Sequence, residues 1–214
     1  ETEYNSAFAL RLTGQLDVSA LTAALQELSR RHESMRTTFS EEDGEGVQIV
    51  HPAVDLPLSV ISCSASEVDS VLRAEFGRPF DIRQGPLFRA ALVRLSDVEH
   101  ILLLSSHHIV VDGWSMGVLA DELSTLYAGG ELPGPTLQYA DFAVWQRSQD
   151  LDAHLSYWQR QLDGISPLEL PTDRPRPAIR TSAGAMHEFS VSPELTAKLS
   201  ELARSADTTL FTSL

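Results

Sequence analysis

The order of apolar and polar positions along the chain predicts alternating strands and helices. Residues 7–12, AFALRL, read as a strand that Gly14 ends. Asp17 is the predicted N-cap of a helix in which Val18, Leu21, Leu25 and Leu28 recur at three- and four-residue spacing, so that one face is apolar. That helix closes in Arg30, Arg31 and His32, cations that suit its negative end. Residues 36–39 then read as a strand, and 42–46 as a hairpin turn into a second strand at 47–50. Ser64 with Glu67 fits the S-x-x-E capping box of a helix carrying Val68, Val71, Leu72 and Phe76. After the break at Gly77 and Pro79 come two strands, 87–95 and 100–106, joined by a short polar turn at Asp97. The heptapeptide HHIVVDG, 107–113, follows. It leads into a helix opening at Trp114 whose buried face is Met116, Leu119, Leu123 and Leu126, stopped by Gly129 and Gly130.

Two aromatic-rich stretches, 139–149 and 151–162, read as further helices. The segment PLELPTDRPRP, 167–177, holds four prolines and can continue neither a helix nor a central strand, so it reads as an extended connector. A strand at 186–191 and a helix capped by Ser192, with Pro193 first, are expected beyond it. The chain therefore crosses a boundary and opens a second unit. Its start at Glu1 and its stop at Leu214 inside an apolar stretch point to a piece of a longer polypeptide.

With 43% hydrophobic residues in 214, a sizeable core is available. Thirty acidic against sixteen basic residues give a net charge of −14, which repels nucleic acid and anionic membranes, and neither is an expected partner. No run reaches the roughly 18 apolar residues of a bilayer span. The single Cys63 has no His or acid at nucleophile-base spacing and supplies neither a disulfide framework nor a zinc site, so a reducing cytosol is the expected compartment. His32, His51, His100, His154 and His187 have no metal-ligand spacing and are read as structural or surface residues.

The chemistry concentrates in HHIVVDG, which sets two histidines at a strand end and an Asp-Gly pair in a tight turn. Imidazole titrates at about 6.5, so a histidine held there is suited to receive a proton at cellular pH. The heptapeptide resembles the HHxxxDG signature of the acyltransferases that include chloramphenicol acetyltransferase, the dihydrolipoyl acyltransferases and the condensation domains of nonribosomal peptide synthetases. Further blocks narrow the resemblance to the last of these. RHESMRTTF, 31–39, resembles their RHExLRTxF with Met35 for Leu. SHHIVVDGWS, 106–115, resembles MHHxISDGWS with Ser106 for Met and Val111 for Ser, and YADFAVW, 139–145, matches a fourth block. PFDIRQGP, YWQRQL and LPTDRPRP also read as sequence of this family, and the wording is most like the subclass that joins an L-configured donor to an L-configured acceptor.

The resemblance implies an α/β (α+β) fold of two chloramphenicol acetyltransferase-like lobes meeting in a V, each a mixed sheet flanked by helices. Residues 1–175 would be the N-terminal lobe without its first motif, and 176–214 the connector end and the beginning of the C-terminal lobe. The implied reaction is amide formation between a donor acyl thioester and an acceptor aminoacyl thioester, both tethered to 4′-phosphopantetheine of carrier domains, with no cofactor bound directly. Upstream donor and downstream acceptor carrier domains and an adjacent adenylation domain are the implied partners. His108, His107, Asp112 and Gly113 are the candidate catalytic residues. His108 matches the catalytic histidine, His107 is expected to be structural, and Gly113 either serves the oxyanion or is a turn glycine. Asp112 is expected to be buried in an ion pair that shapes the site, with Arg36 or Arg31 as partner and Arg36 preferred because it begins a strand. Trp114 and Ser115 are candidate substrate contacts, although large aromatics such as Trp114, Tyr139 and Trp145 are more often core material. An epimerisation domain of the same fold is the nearest rival, and a heterocyclisation domain is further off because it carries aspartates in place of the two histidines. A catalytically silent docking platform for a partner enzyme is the rival from another class.

Overall fold

The computed structural model describes residues 2–52, 55–179, 181, 184–185 and 187–214. It divides into two compact units, Glu1–Ser166 and Pro167–Leu214. The division falls at the start of the proline-rich connector.

The first unit opens with strand β1 (Asn5–Thr13) and helix α1 (Val18–Arg31). Asp17 caps α1, its Oδ1 accepting from the Ala20 amide at 2.9 Å. Glu33–Arg36 is a 3-10 turn, so Arg36 precedes strand β2 (Thr37–Glu42) instead of beginning it. β2 pairs antiparallel with β3 (Glu45–Val50) across Asp43 and Gly44, both at positive φ (52° and 82°), the two-residue turn that matches strand twist. Strand β4 (Leu58–Ser62) was not expected from the sequence. Ser64 and Glu67 form the turn before helix α2 (Val68–Phe76), with the Glu67 carboxylate reaching back to the Ser64 amide at 2.8 Å. Strands β5 (Phe88–Arg94) and β6 (Glu99–His107) follow, then helices α3 (Gly113–Tyr127), α4 (Tyr139–Arg147) and α5 (Asp152–Leu162).

The four-stranded sheet has the order β1-β6-β5-β4. β6 pairs antiparallel with β1 and β5, while β4 lies parallel to β5, so the sheet is mixed. Central β6 is buried from His100 through Ser106, as its continuous apolar run requires. Leu102 and Leu104 join Phe88 and Leu92 on one face, against Leu21, Leu25 and Leu28 of α1 and Leu119 and Leu123 of α3. Each such side chain contributes about 1.5–3 kcal/mol on burial. Ile101 and Leu103 alternate to the other face and are buried as well, and α2 packs on β1 and β6. Helices flanking a sheet anchored on β6 fix the C-terminal end of that strand, where the two histidines lie.

In the second unit the connector is extended. The strand expected at 186–191 is not formed by the described residues 187–191, and Met186 lies outside the described residues. Helix α6 (Pro193–Ser205) starts as expected, with the Ser192 hydroxyl accepting from the Leu195 amide at 3.3 Å, and helix α7 (Leu210–Ser213) packs against it.

Candidate active site

His107 is the last residue of β6, and the chain turns through His108 to Asp112 before α3 begins at Gly113. Two backbone bonds hold the start of the turn. The His107 amide donates to the Leu87 carbonyl at 2.9 Å and the His108 amide to the Tyr4 carbonyl at 2.8 Å. Val111 tucks into the core. The His108 side chain is exposed and faces a cavity of about 360 Å³, whose wall also includes His32, Glu33, Asp112, Ser115, Gln138 and Tyr139.

His107 turns away from this cavity. Its ring stacks on Tyr4, centroids 6.0 Å apart, and meets Phe80 edge-on at 6.3 Å. Nδ1 accepts from the Ile109 amide at 3.1 Å, which assigns the ring proton to Nε2 in the neutral form. Burial, and secondarily the neighbouring His108, push its pKa below the ordinary imidazole value.

Asp112 departs from expectation. It is exposed, and it serves as the N-cap of α3: Oδ1 accepts from the Ser115 hydroxyl at 2.6 Å and from the Ser115 amide at 2.8 Å. These bonds, the hydroxyl first, hold its carboxyl below the usual carboxylate range. An exposed carboxylate satisfied this way has no buried charge to neutralise, and neither arginine pairs with it. Arg31 approaches both carboxylate oxygens of Glu122 on α3 at 3.0 Å and also donates to the Pro133 carbonyl. Arg36 lies 3.5 Å from Glu33 and donates to the His51 carbonyl.

Gly113, first residue of α3, has open space where a side chain would stand. Ser115 lines the cavity, whereas Trp114 does not and is 85% exposed. The expectation that Trp114, Tyr139 and Trp145 pack into a core is overturned: Tyr139 is 61% and Trp145 55% exposed. The α3 and α4 faces that carry them have no covering element among the described residues of the first unit.

The structure adds residues that the sequence reading did not single out. His32, read there as structural or surface, lines the cavity while its Nε2 donates to Glu122 at 2.5 Å. Gln138 clasps the backbone on either side of His32, donating to the Arg31 carbonyl at 2.9 Å and accepting from the Glu33 amide at 3.1 Å. The signal for His32 lay in the RHESMRTTF block, where it follows Arg31; Gln138, just before YADFAVW, carried none. Among the described residues no cluster of His, Cys, Asp and Glu is arranged to hold a metal, and no helix is long and apolar enough to cross a membrane.

A histidine-bearing strand end beside a cavity is common to many folds, but a family model described as Condensation domain matches residues 1–214. The chain belongs to the condensation-domain family. Over 231 residues this condensation-domain sequence is 44% identical to a linear gramicidin synthase polypeptide of Brevibacillus parabrevis, covering 100% of this chain and 4% of that polypeptide. It is 42% identical over 217 residues to surfactin synthase subunit 1 of Bacillus subtilis (strain 168), covering 99% of this chain and 6% of that protein. The X-domain from teicoplanin biosynthesis superposes with a TM-score of 0.84 at 32% identity, over 96% of this chain and 49% of that one. The chain thus spans about half the length of that structure and a small fraction of the synthase polypeptides. The mixed sheet flanked by helices is the chloramphenicol acetyltransferase-like fold of the family.

Proposed function

We propose that this condensation domain forms an amide between two substrates held as thioesters on phosphopantetheinyl carrier domains, within a nonribosomal peptide synthetase. The observation that carries the reading is the exposed His108 ring on the wall of a cavity whose other polar groups include Asp112, Ser115 and Glu33. The lone pair of a neutral acceptor amine attacks the donor thioester carbonyl, and a C–N bond forms. The C–S bond then breaks, its electron pair leaving on the donor thiolate. The proton lost from nitrogen passes to His108, which also holds the amine in line, and ends on the thiolate. General-base help of this kind is worth about 10²- to 10⁴-fold, and positioning contributes on the same scale. The Gly113 amide, at the positive end of α3, is the group on this chain best suited to face the developing oxyanion.

Residues 1–175 are read as the N-terminal lobe and 176–214 as the start of the second. The partners are a donor and an acceptor carrier domain and an adenylation domain, and donor and acceptor are both L-configured. These assignments rest on the motif blocks and on the resemblance to gramicidin and surfactin synthases. A second reading has support of its own: one neighbour is a complex of an X-domain with OxyB, at 32% identity and a TM-score of 0.83, so a docking role is the competitor. In the full-length protein supplied with loaded donor and acceptor carriers, the acceptor carrier should gain the mass of the donor acyl group. Binding without any mass transfer would favour the docking role, and an inverted stereocentre without mass transfer an epimerase.

A further inference from the structure

His107 is gripped by residues that lie outside the cavity and touch no substrate in the reading above. Building on that reading of His108, we propose that Phe80 and Arg89 are positioning residues: they fix the His107 ring and, through it, the turn that carries His108. The geometry runs in an unbroken series of contacts. The Arg89 guanidinium carbon lies 3.7 Å from the centre of the Phe80 ring. The same guanidinium donates to the Arg78 carbonyl at 2.6 Å and to the Pro79 carbonyl at 3.3 Å, so one group holds both the face of the ring and the backbone leading to it. Phe80 meets the His107 ring edge-on, and Tyr4 stacks on that ring as well. His107 in turn receives the Ile109 amide on Nδ1. His108 therefore sits between two fixed points, with its own amide bonded to the Tyr4 carbonyl.

Asn5, directly opposite His107 in the sheet register, closes the arrangement from the other side. Its Nδ2 donates to the Phe76 carbonyl at 2.7 Å and to the Arg78 carbonyl at 2.9 Å, pinning the end of α2 and the turn that presents Phe80. A purely apolar contact would hold Phe80 in place without a charge. Arg89 is half-buried and desolvated, which lowers its pKa, so a guanidinium here is retained against a cost. Only a planar group with a fork of donors can lie on an aromatic face and also bind two backbone carbonyls. Lysine offers neither the plane nor the fork.

Misplacement of a reacting group by about 1 Å can cost roughly 10²-fold in rate. Phe80→Leu and Arg89→Met are therefore expected to slow amide formation roughly 10- to 100-fold in kcat, with KM for the acceptor carrier little changed. Phe80→Tyr, which keeps the ring, should restore most of the rate, and Arg89→Lys should not. The decisive readout is independent of turnover. In the uniformly ¹⁵N-labelled 214-residue chain, wild type should show His107 with an unprotonated Nδ1 and a slowly exchanging Ile109 amide. Phe80→Leu and Arg89→Met should speed that exchange and mix the His107 tautomers. Unchanged Ile109 exchange and His107 signals in both variants would overturn the proposal. So would activity that falls only with the folded fraction and is not rescued by Phe80→Tyr. Wild-type amide formation by His108→Ala would remove the catalytic reading instead, and would leave the exchange result to stand or fall alone.

Discussion

Removing the Glu122 carboxylate, which holds the cavity-lining His32, should markedly destabilise the first unit. Glu122 on α3 lies 3.0 Å from Arg31 Nε through both oxygens and 2.5 Å from His32 Nε2, so it ties α3 to the C-terminal end of α1. The three side chains are only 14%, 11% and 23% exposed, respectively. Deleting one partner of a buried pair costs about 3–5 kcal/mol because the other charge is left stranded. The residual exposure here, and the Pro133 carbonyl that Arg31 keeps, place Glu122→Ala near the lower end, about 3 kcal/mol. For a domain of this size each kcal/mol moves the midpoint by roughly 2–4 °C, so a fall of about 6–12 °C is expected in thermal unfolding followed by circular dichroism. Arg31→Ala should act in the same direction. The double variant should be less damaging than the sum by about 0.5–3 kcal/mol, since the second deletion removes a charge already stranded. A Glu122→Ala midpoint within about 1 °C of wild type, or strictly additive singles, would refute the pairing.

Asp112→Ala should lower the melting temperature while Asp112→Asn largely preserves it, because asparagine caps as well as aspartate; either should be additive with Arg31→Ala or Arg36→Ala in the same assay. The folded Asp112 carboxyl ionises below its unfolded value of about 3.9, so its contribution is present above that pH and is lost as pH falls through the lower folded value; Asp112→Asn should flatten the acid limb of stability against pH in that window. His107 is shifted in the same direction, taking its proton at lower pH when folded, with Tyr4, His108 and, beyond Phe80, Arg89 around it. Stability should therefore decline as pH drops below about 6.5 and level off below the folded value, and an NMR titration should show His107 protonating below an ordinary histidine. Phe88→Ala, at a fully buried ring, should cost about 3–5 kcal/mol in urea unfolding.

Much of this architecture is local and therefore legible in the chain. The Asp17 and Ser192 caps, the apolar stripe of α1 and the buried run of β6 depend on residues a few positions apart, and each formed as expected. Strand β4 was hidden because its half-exposed LSVIS is a sheet edge defined by parallel pairing with β5, a contact that no short window contains. His108 was legible through the HHIVVDG motif, but its surroundings were not. Arg36 or Arg31 was expected to pair with Asp112, yet their nearest acids are Glu33, three positions before Arg36, and Glu122, ninety-one positions along from Arg31. The Asp112 cap itself was readable, since Asp followed three residues later by Ser at a helix start is a local hydrogen-bonding pattern. The expectation of a buried ion pair displaced that simpler reading. Trp114 was misjudged because residue type predicts average burial, whereas its helix face has nothing packed on it among the described residues of the first unit.

The central claim is that His108 serves the amide-forming step, and single-turnover kinetics of His108→Ala test it most directly. With the full-length protein and saturating loaded donor and acceptor carriers, dipeptidyl product should appear about two orders of magnitude more slowly than in wild type. Carrier binding and the melting temperature should be unchanged, since the His108 ring is exposed and the bond that anchors this residue, to the Tyr4 carbonyl, comes from its backbone amide. Product forming at the wild-type rate would contradict the account.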